Sequence, residues 1–464
     1  MVKTKSKRKR STKSTTKRHA NYKATGKVTN SIVYEHRTTT DLGAKKIIKV
    51  LLKHPVAVVN VDTGGGKTFM SIRAVGVYDP NSHIVIFTTK KQTDSHNWED
   101  SIDAYNHAVK KSHLTYQVTN YESLWTSKGQ NDFLAELKKH KHQNIYIIAD
   151  EGHRIKNPTS KTFKNLYKLT KLPNFKKTII LTATPLAESL LDAQSYLILA
   201  GYYRNKSDFL RQHVFRYDKY FQPIIKDWSG QIHNEWLLNY QSIIKEFKSI
   251  QVYVDTDALK PKQFFKELTF SYNKNTQKAY RKIAKDYRNG VYDSIASANA
   301  AQRDFIAQHD TQRRKALSSI INNPNRPKGP VLIFYQYNSE LQSLKDYLPH
   351  AHPGYHIFEI NGKHKYDVRQ TPPEKSLFLC QYQASGEGLN AAWSHCSIFY
   401  APTYSWKNFK QARGRNVRAY QGGTTYQIRF VVKKTINEHY WYDLIDNKKK
   451  FTHNLMKQYL TNDD

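Results

Sequence analysis

The sequence predicts an α/β protein of two parallel-sheet lobes joined by a mainly helical stretch. Three observations carry that prediction. Short apolar runs without polar alternation, the mark of strands buried on both faces, recur between helical patterns from Pro55 to Leu186. The same rhythm restarts at Val331 and runs to Val432, after the break NNPNRPKGP at Asn322–Pro330. Between them, from Gly201 onward, long charged and Tyr-rich segments look mainly helical. The implied layout is a basic tail over 1–30, a first lobe over 31–200, a helical connection over 201–330, a second lobe over 331–450 and a short tail over 451–464.

Taken in order, residues 1 to 30 hold many Lys and Arg, no acid and almost no apolar side chain, so they cannot support a core and are expected to be disordered. A helix follows, capped near Thr40 or Asp41, with Ala44, Ile47, Ile48, Leu51 and Leu52 on one face. It leads into PVAVVNVDTGGGKT, Pro55–Thr68. A buried strand there delivers the chain into Thr63, Gly64, Gly65, Gly66, Lys67 and Thr68, ahead of the helical pattern Phe69, Ile72, Ala74 and Val75. Glycines let successive N–H groups turn toward phosphate oxygens. Lys67 reaches the β/γ-phosphates, and the Thr68 hydroxyl suits Mg²⁺. Val61 stands where the strict pattern has its first glycine.

HIVIFTTKK (His83–Lys91) and LTYQVTNYESLW (Leu114–Trp125) read as second and third strands. NIYIIADEGHRIKN, Asn144–Asn157, ends a buried strand in adjacent carboxylates, Asp150 and Glu151. At the carboxyl edge of a parallel sheet beside a phosphate loop, the first suits Mg²⁺ and the second an attacking water. KTIILTATPL, Lys177–Leu186, is a fifth strand ending in Thr182 and Thr184. The second lobe offers the strands VLIFYQY, SLFLCQY, SIFYAP and YQIRFVV, no GKT, and the polar clusters QASGEGLN (Gln383–Asn390) and QARGRNVR (Gln411–Arg418). Arg415 and Arg418, three apart, are read as neighbours on one helix face. Alone, such a pair is usually a solvated face or a phosphate-backbone contact.

Composition points to the partner. The 74 Lys and Arg against 38 Asp and Glu leave +36, which favours a polyanion, and 13% aromatic residues add faces for stacking bases. Nucleic acid is the first expectation, an anionic membrane surface the weaker second. Two cysteines, Cys380 and Cys396, exclude disulfide or zinc frameworks and fit a reducing intracellular compartment. No apolar run of about 18 residues and no apolar segment behind the basic N-terminus argue for a soluble chain.

With the clusters in view, residues 35 to 445 resemble the superfamily 2 helicases, and within them the Swi/Snf-type DNA translocases. DTGGGKT resembles motif I, FTTKK motif Ia, VTNYESL the next nucleic-acid-contacting motif, DEGHRIKN the DEAH-box motif II, and LTATPL motif III. VLIFYQY resembles motif IV, SGEGLN motif V and QARGRNVR motif VI. The resemblance implies two RecA-like lobes, with ATP and Mg²⁺ between them and DNA, less readily RNA, across both. It implies Lys67, Asp150, Glu151, Arg415 and Arg418 as catalytic, and Gln411 and Gly388 with the phosphate loop as nucleotide-binding. Thr68 and Asp150 would serve Mg²⁺, and His153 would couple the sites. It further implies nucleic-acid contacts from Thr88, Lys90, Asn120, Tyr121, Thr182, Thr184, Gln336, Ser385 and Asn390, with Gly386 in the same motif. Two departures stand out: Gly152 replaces the usual alanine, and Thr40-Asp41-Leu42-Gly43 takes the place of the adenine-reading glutamine. Chromatin-reading domains are missing, and size and composition suit a viral or phage helicase. A non-catalytic nucleic-acid clamp on the same fold is the alternative.

Overall fold

The computed structural model describes Tyr34 and residues 37–447, apart from 63, 187–188, 219, 221, 226–231, 257, 259, 365, 367–370, 386–390 and 419–420. The basic N-terminal tail, the last residues, Thr63, Gly386, Gly388 and Asn390 therefore lie outside the described residues, as does the side chain of Ser385. Two six-stranded sheets, each parallel throughout, organise the rest.

The first sheet holds β1 (Val56–Asn60), β2 (His83–Thr88), β3 (Thr115–Asn120), β4 (Ile145–Asp150), β5 (Phe175–Thr182) and β6 (Gln251–Tyr253), in the order β3-β2-β4-β5-β1-β6. Its central strands β2 and β4 are buried at every position, as unbroken apolar runs require when helices cover both faces. Register sets the functional edge. Asn60 pairs with Thr182, Asp150 with Leu181 and Thr88 with Asn120, so the strand ends finish side by side. Helix α1 (Thr38–Leu51) packs on α2 (Lys67–Tyr78), and Gly43 makes that approach possible, because a Cβ there would sit 2.5 Å from the Met70 sulfur. α1 begins before its expected cap, and Leu52, expected on the apolar face, is exposed just beyond its end.

The second sheet holds β7 (Lys262–Phe270), β8 (Val331–Tyr335), β9 (His356–Ile360), β10 (Ser376–Gln381), β11 (Cys396–Phe399) and β12 (Thr424–Val432), in the order β7-β12-β11-β8-β10-β9. The stretch read as mainly helical, 201–330, does carry five α-helices among its described residues, but it also supplies an edge strand to each sheet. β7 was not legible because it is an edge strand whose side chains are mostly exposed and whose apolar residues are broken by Lys266 and Glu267, leaving no long apolar run. A buried network ties the helical stretch to the second sheet: Arg313 donates to Asp310 at 2.6 Å and to the Tyr400 carbonyl at 3.0 Å, with its guanidinium 4.4 Å from the Tyr400 ring. No helix among the described residues is long and apolar enough to cross a membrane.

One buried histidine gives the fold a pH dependence. His83 is fully buried at the start of β2, stacked 3.7 Å from His140, with Nδ1 2.8 Å from the Thr115 hydroxyl and no hydrogen-bond partner for Nε2 among the described residues. Burial, with the charge of His140 beside it, lowers its pKa from 6.5 to about 3. The unfolded chain then takes up a proton that the folded chain refuses. The contribution of His83 to stability is complete above pH 6.5 and is lost as the pH drops toward 3, by about 2 kcal/mol at pH 5. Urea unfolding at pH 7 and pH 5 should show a loss for the native chain about 2 kcal/mol larger than that for His83→Phe; equal losses in both would refute it.

Candidate nucleotide cleft

β1 ends in a backbone that only glycine accommodates. Gly64 and Gly66 adopt φ of +81° and +85°, and Gly66 in this left-handed conformation opens α2. Lys67 is the first residue of α2, and its ammonium donates to the carbonyls of Val61 at 2.7 Å and Asp62 at 3.1 Å. Burial lowers the Lys67 pKa, while Glu151, Asp150 and Asp62 oppose the shift. Thr68 follows on the first turn, where helix N–H groups and the macrodipole favour an anion.

Two strands away, Asp150 ends β4. Its Oδ2 accepts from the Thr88 hydroxyl at 3.1 Å and the Trp98 indole at 3.3 Å, and its backbone carbonyl accepts from the Tyr121 hydroxyl at 2.7 Å. Burial and the adjacent Glu151 charge raise the Asp150 pKa. Glu151 behaves oppositely: burial pushes it up, but a hydrogen bond and charge from His153, then Lys67 and Arg415, outweigh burial and hold its carboxyl low. His153 Nδ1 lies 3.3 Å from Glu151 Oε2. Glu151 also carries φ of +52°, a strained conformation for a non-glycine residue of the kind that collects at functional sites. The following Gly152 is explained by close packing, since a Cβ would meet Ile180 Cγ2 at 2.2 Å. The basic loop behind is anchored, with Arg154 paired to Glu122 and Lys156 to Asp192 at 3.2 Å.

The second sheet completes the cleft. Helix Trp406–Arg413 follows β11 and stops at Gly414, so Arg415 sits on a short 3₁₀ turn and Arg418 on the extended segment beyond. The expected shared helix face is thus corrected. A Cβ on Gly64 would lie 2.7 Å from both Arg418 Cδ and the Val417 carbonyl, so this turn packs directly on the phosphate loop. Arg418 donates to the carbonyls of Gly414 and Val417, the latter at 3.3 Å. Burial and the neighbouring Arg415 lower its pKa to about 9, so it is still charged at neutral pH. Gln411 lies on the same helix, half-buried.

Several expected nucleic-acid contacts lie elsewhere than a solvent-facing track. Thr88, Tyr121 and Thr182 are buried; the first two support Asp150, and Thr182 accepts from the Thr184 amide at 3.2 Å. Asn120 caps the turn Tyr121–Trp125 by accepting from the Ser123 amide. Gln336 is buried at the end of β8, and Lys90 is exposed at the start of helix Lys90–Asp94. For Thr88 and Tyr121 the reason is the same: a buried aspartate at a strand end must be hydrogen-bonded, and the adjacent strand ends supply the donors. Trp98 was visible in the sequence, but nothing local revealed that its indole reaches Asp150.

The residues fit a nucleotide triphosphate with Mg²⁺. Lys67 opens the helix behind the glycine loop, half-buried Arg418 packs on Gly64, and buried Arg415 adds its charge beside Arg418 and Glu151; desolvation works against the charge of Lys67 and Arg418, a cost that a polyanion relieves. Among the described residues no group of three or more His, Cys, Asp or Glu side chains is placed to hold a metal.

Comparison with known proteins shows the family. The SNF2-related domain matches residues 58–322, and the helicase conserved C-terminal domain matches residues 312–420. A Caenorhabditis elegans protein, the SWI/SNF-related matrix-associated actin-dependent regulator of chromatin subfamily A containing DEAD/H box 1 homolog, is 22% identical over 494 aligned residues, covering 85% of this chain and 49% of its own. Chromatin structure-remodeling complex subunit snf21 of Schizosaccharomyces pombe is 23% identical over 381, covering 71% and 30%. This chain thus spans half or less of those relatives. Among solved structures, the ATP-dependent Type ISP restriction-modification enzyme LlaBIII bound to DNA aligns over 92% of this chain and 30% of its own, with 12% identity and a TM-score of 0.51, a likeness of fold. With one family domain matching more than half of its length and a second overlapping and extending that match through both arginines, this chain belongs to the SNF2-related family.

Proposed function

We propose that the chain is a nucleic-acid-dependent ATPase that hydrolyses ATP in the cleft between its two sheets and moves along DNA. The observation that carries the reading is the seating of Val417 and Arg418 of the second unit against Gly64 of the phosphate loop. A site assembled from two units can change shape as the nucleotide changes, because ATP interacts with both and its products interact less with one.

The residues divide the work. Lys67 and the glycine backbone hold the phosphates, and Thr68 with Asp150 would hold Mg²⁺, which when bound neutralises charge on the phosphate oxygens. Glu151, kept ionised and aimed by His153, orients the attacking water; its low pKa suits orientation better than proton removal. Arg415 and Arg418 stabilise charge developing on the γ-phosphate. If each unit grips the backbone with different strength in the open and closed states, the cycle steps in one direction.

The net charge of +36 supports a sequence-independent, phosphate-dominated grip. ATP turnover should rise with duplex or single-stranded DNA, rise less with RNA, and lose that stimulation steeply between about 50 and 200 mM salt. Phosphate-release assays across those nucleic acids decide the track. Greater stimulation by RNA would move the reading to an RNA helicase, and absence of turnover with every nucleic acid would leave a non-catalytic clamp.

A further inference from the structure

Between β6 and β7 the chain crosses from the first sheet to the second, and it does so against the phosphate loop. Thr256 is buried, with no hydrogen-bond partner for its hydroxyl among the described residues, and that oxygen would lie 2.8 Å from a Cβ on Gly65. Four residues on, Lys260 Nζ lies 3.0 Å from Asp62 Oδ2. From the second unit, Lys410 Nζ approaches the other oxygen, Oδ1, at 3.6 Å. Asp62 is itself part of the phosphate loop: its carbonyl accepts from Lys67 at 3.1 Å and from the Gly65 amide at 3.0 Å.

Resting on the reading of this loop as a nucleotide site, we propose that Asp62, Lys260 and Lys410 form an ionic latch that makes nucleotide affinity depend on closure of the two units. The loop carries its own anion where another polyanion must bind. An uncompensated Asp62 carboxylate repels phosphate, so the loop is a poor receptor on its own. Lys260 on the connection and Lys410 on the helix ahead of the arginines neutralise it when the second unit is seated. Closure therefore does two things at once, presenting Arg415 and Arg418 and removing the repulsion. By linkage the effect is reciprocal, and bound nucleotide favours the seated arrangement. Burial pushes the Asp62 pKa up, but Lys260, Lys410 and Lys67 together hold it low, consistent with a carboxylate kept charged by the latch. Lys260, Lys410 and Asp62 are positioning residues, acting on the loop and not on the reacting atoms.

The test is a double-mutant cycle read by equilibrium binding of a fluorescent ATP analogue to the full chain. Lys260→Ala should weaken binding about three- to fivefold, the scale of one partly exposed ion pair. In an Asp62→Asn background the same change should alter affinity less than twofold, because the repulsion it unmasks is gone. Lys260→Arg should keep native affinity. Lys410→Ala in both backgrounds reads the same coupling and replaces Lys260→Ala should that variant unfold early. Equal losses in the native and Asp62→Asn backgrounds would overturn the latch while leaving the nucleotide site intact. Failure of the native chain to bind the analogue would instead overturn the site itself.

Discussion

Lys67→Ala is expected to reduce ATP hydrolysis by at least about 10³-fold, to the background of the assay, while DNA affinity stays within about twofold of the native chain. The ammonium is the phosphate loop's own charge, placed on the first residue of α2 against the carbonyls of Val61 and Asp62. Its burial means the folded protein already bears the cost of holding a cation there without full hydration. Removing it takes away phosphate neutralisation and one donor to each of the Val61 and Asp62 carbonyls, a stability loss of about 1 kcal/mol that a melting curve would detect. Phosphate release and a gel-shift titration on the same preparation separate the two effects. Sustained turnover in this variant would sink the assignment of the loop.

Arg418→Ala comes next in size. The guanidinium is expected to act where charge grows on the γ-phosphate, a contribution of about 10³ to 10⁵ in rate for arginines in that role. Nucleotide affinity should fall much less, because the stabilisation is greatest in the transition state. Arg418→Lys should not restore the rate, since an ammonium lacks the planar fork of donors and the reach to share charge between two oxygens. Single-turnover rates set against equilibrium binding make the distinction. A rate loss below tenfold, or a loss wholly in affinity, would place Arg418 outside the reaction and leave it as packing against Gly64.

Much of this architecture was legible before any coordinates. Unbroken apolar runs mark β1, β2, β4, β5, β8, β10 and β11 because strands buried on both faces have no polar side to show. β7 carried no such signal: its backbone pairs with β12 through nine residues, yet its side chains are mostly exposed. β6 is three residues long, too short for any pattern, and owes its existence to pairing with β1. Thr88 and Tyr121 carry chemistry suited to a nucleic-acid surface, and sequence has no means to say that they face inward toward Asp150. Arg415 and Arg418, read from their spacing as neighbours on one helix face, do not share a helix, because Gly414 ends it one residue before the first of them.

By itself, the sequence determined the local chemistry: a glycine turn ahead of Lys67 and Thr68, two carboxylates at the end of a buried strand, and two arginines far along the chain. Each depends on residues a few positions apart, within reach of propensity and spacing. Only the tertiary structure decided which distant groups share a charge environment. Asp62 meets Lys260 and Lys410 across 198 and 348 positions, Gly64 packs under Arg418, and Trp98 reaches Asp150 across 52. Such contacts are set by sheet order and by the docking of one unit on the other. Coulomb and desolvation energies depend on distance through space and on burial, and neither is written in the order of residues.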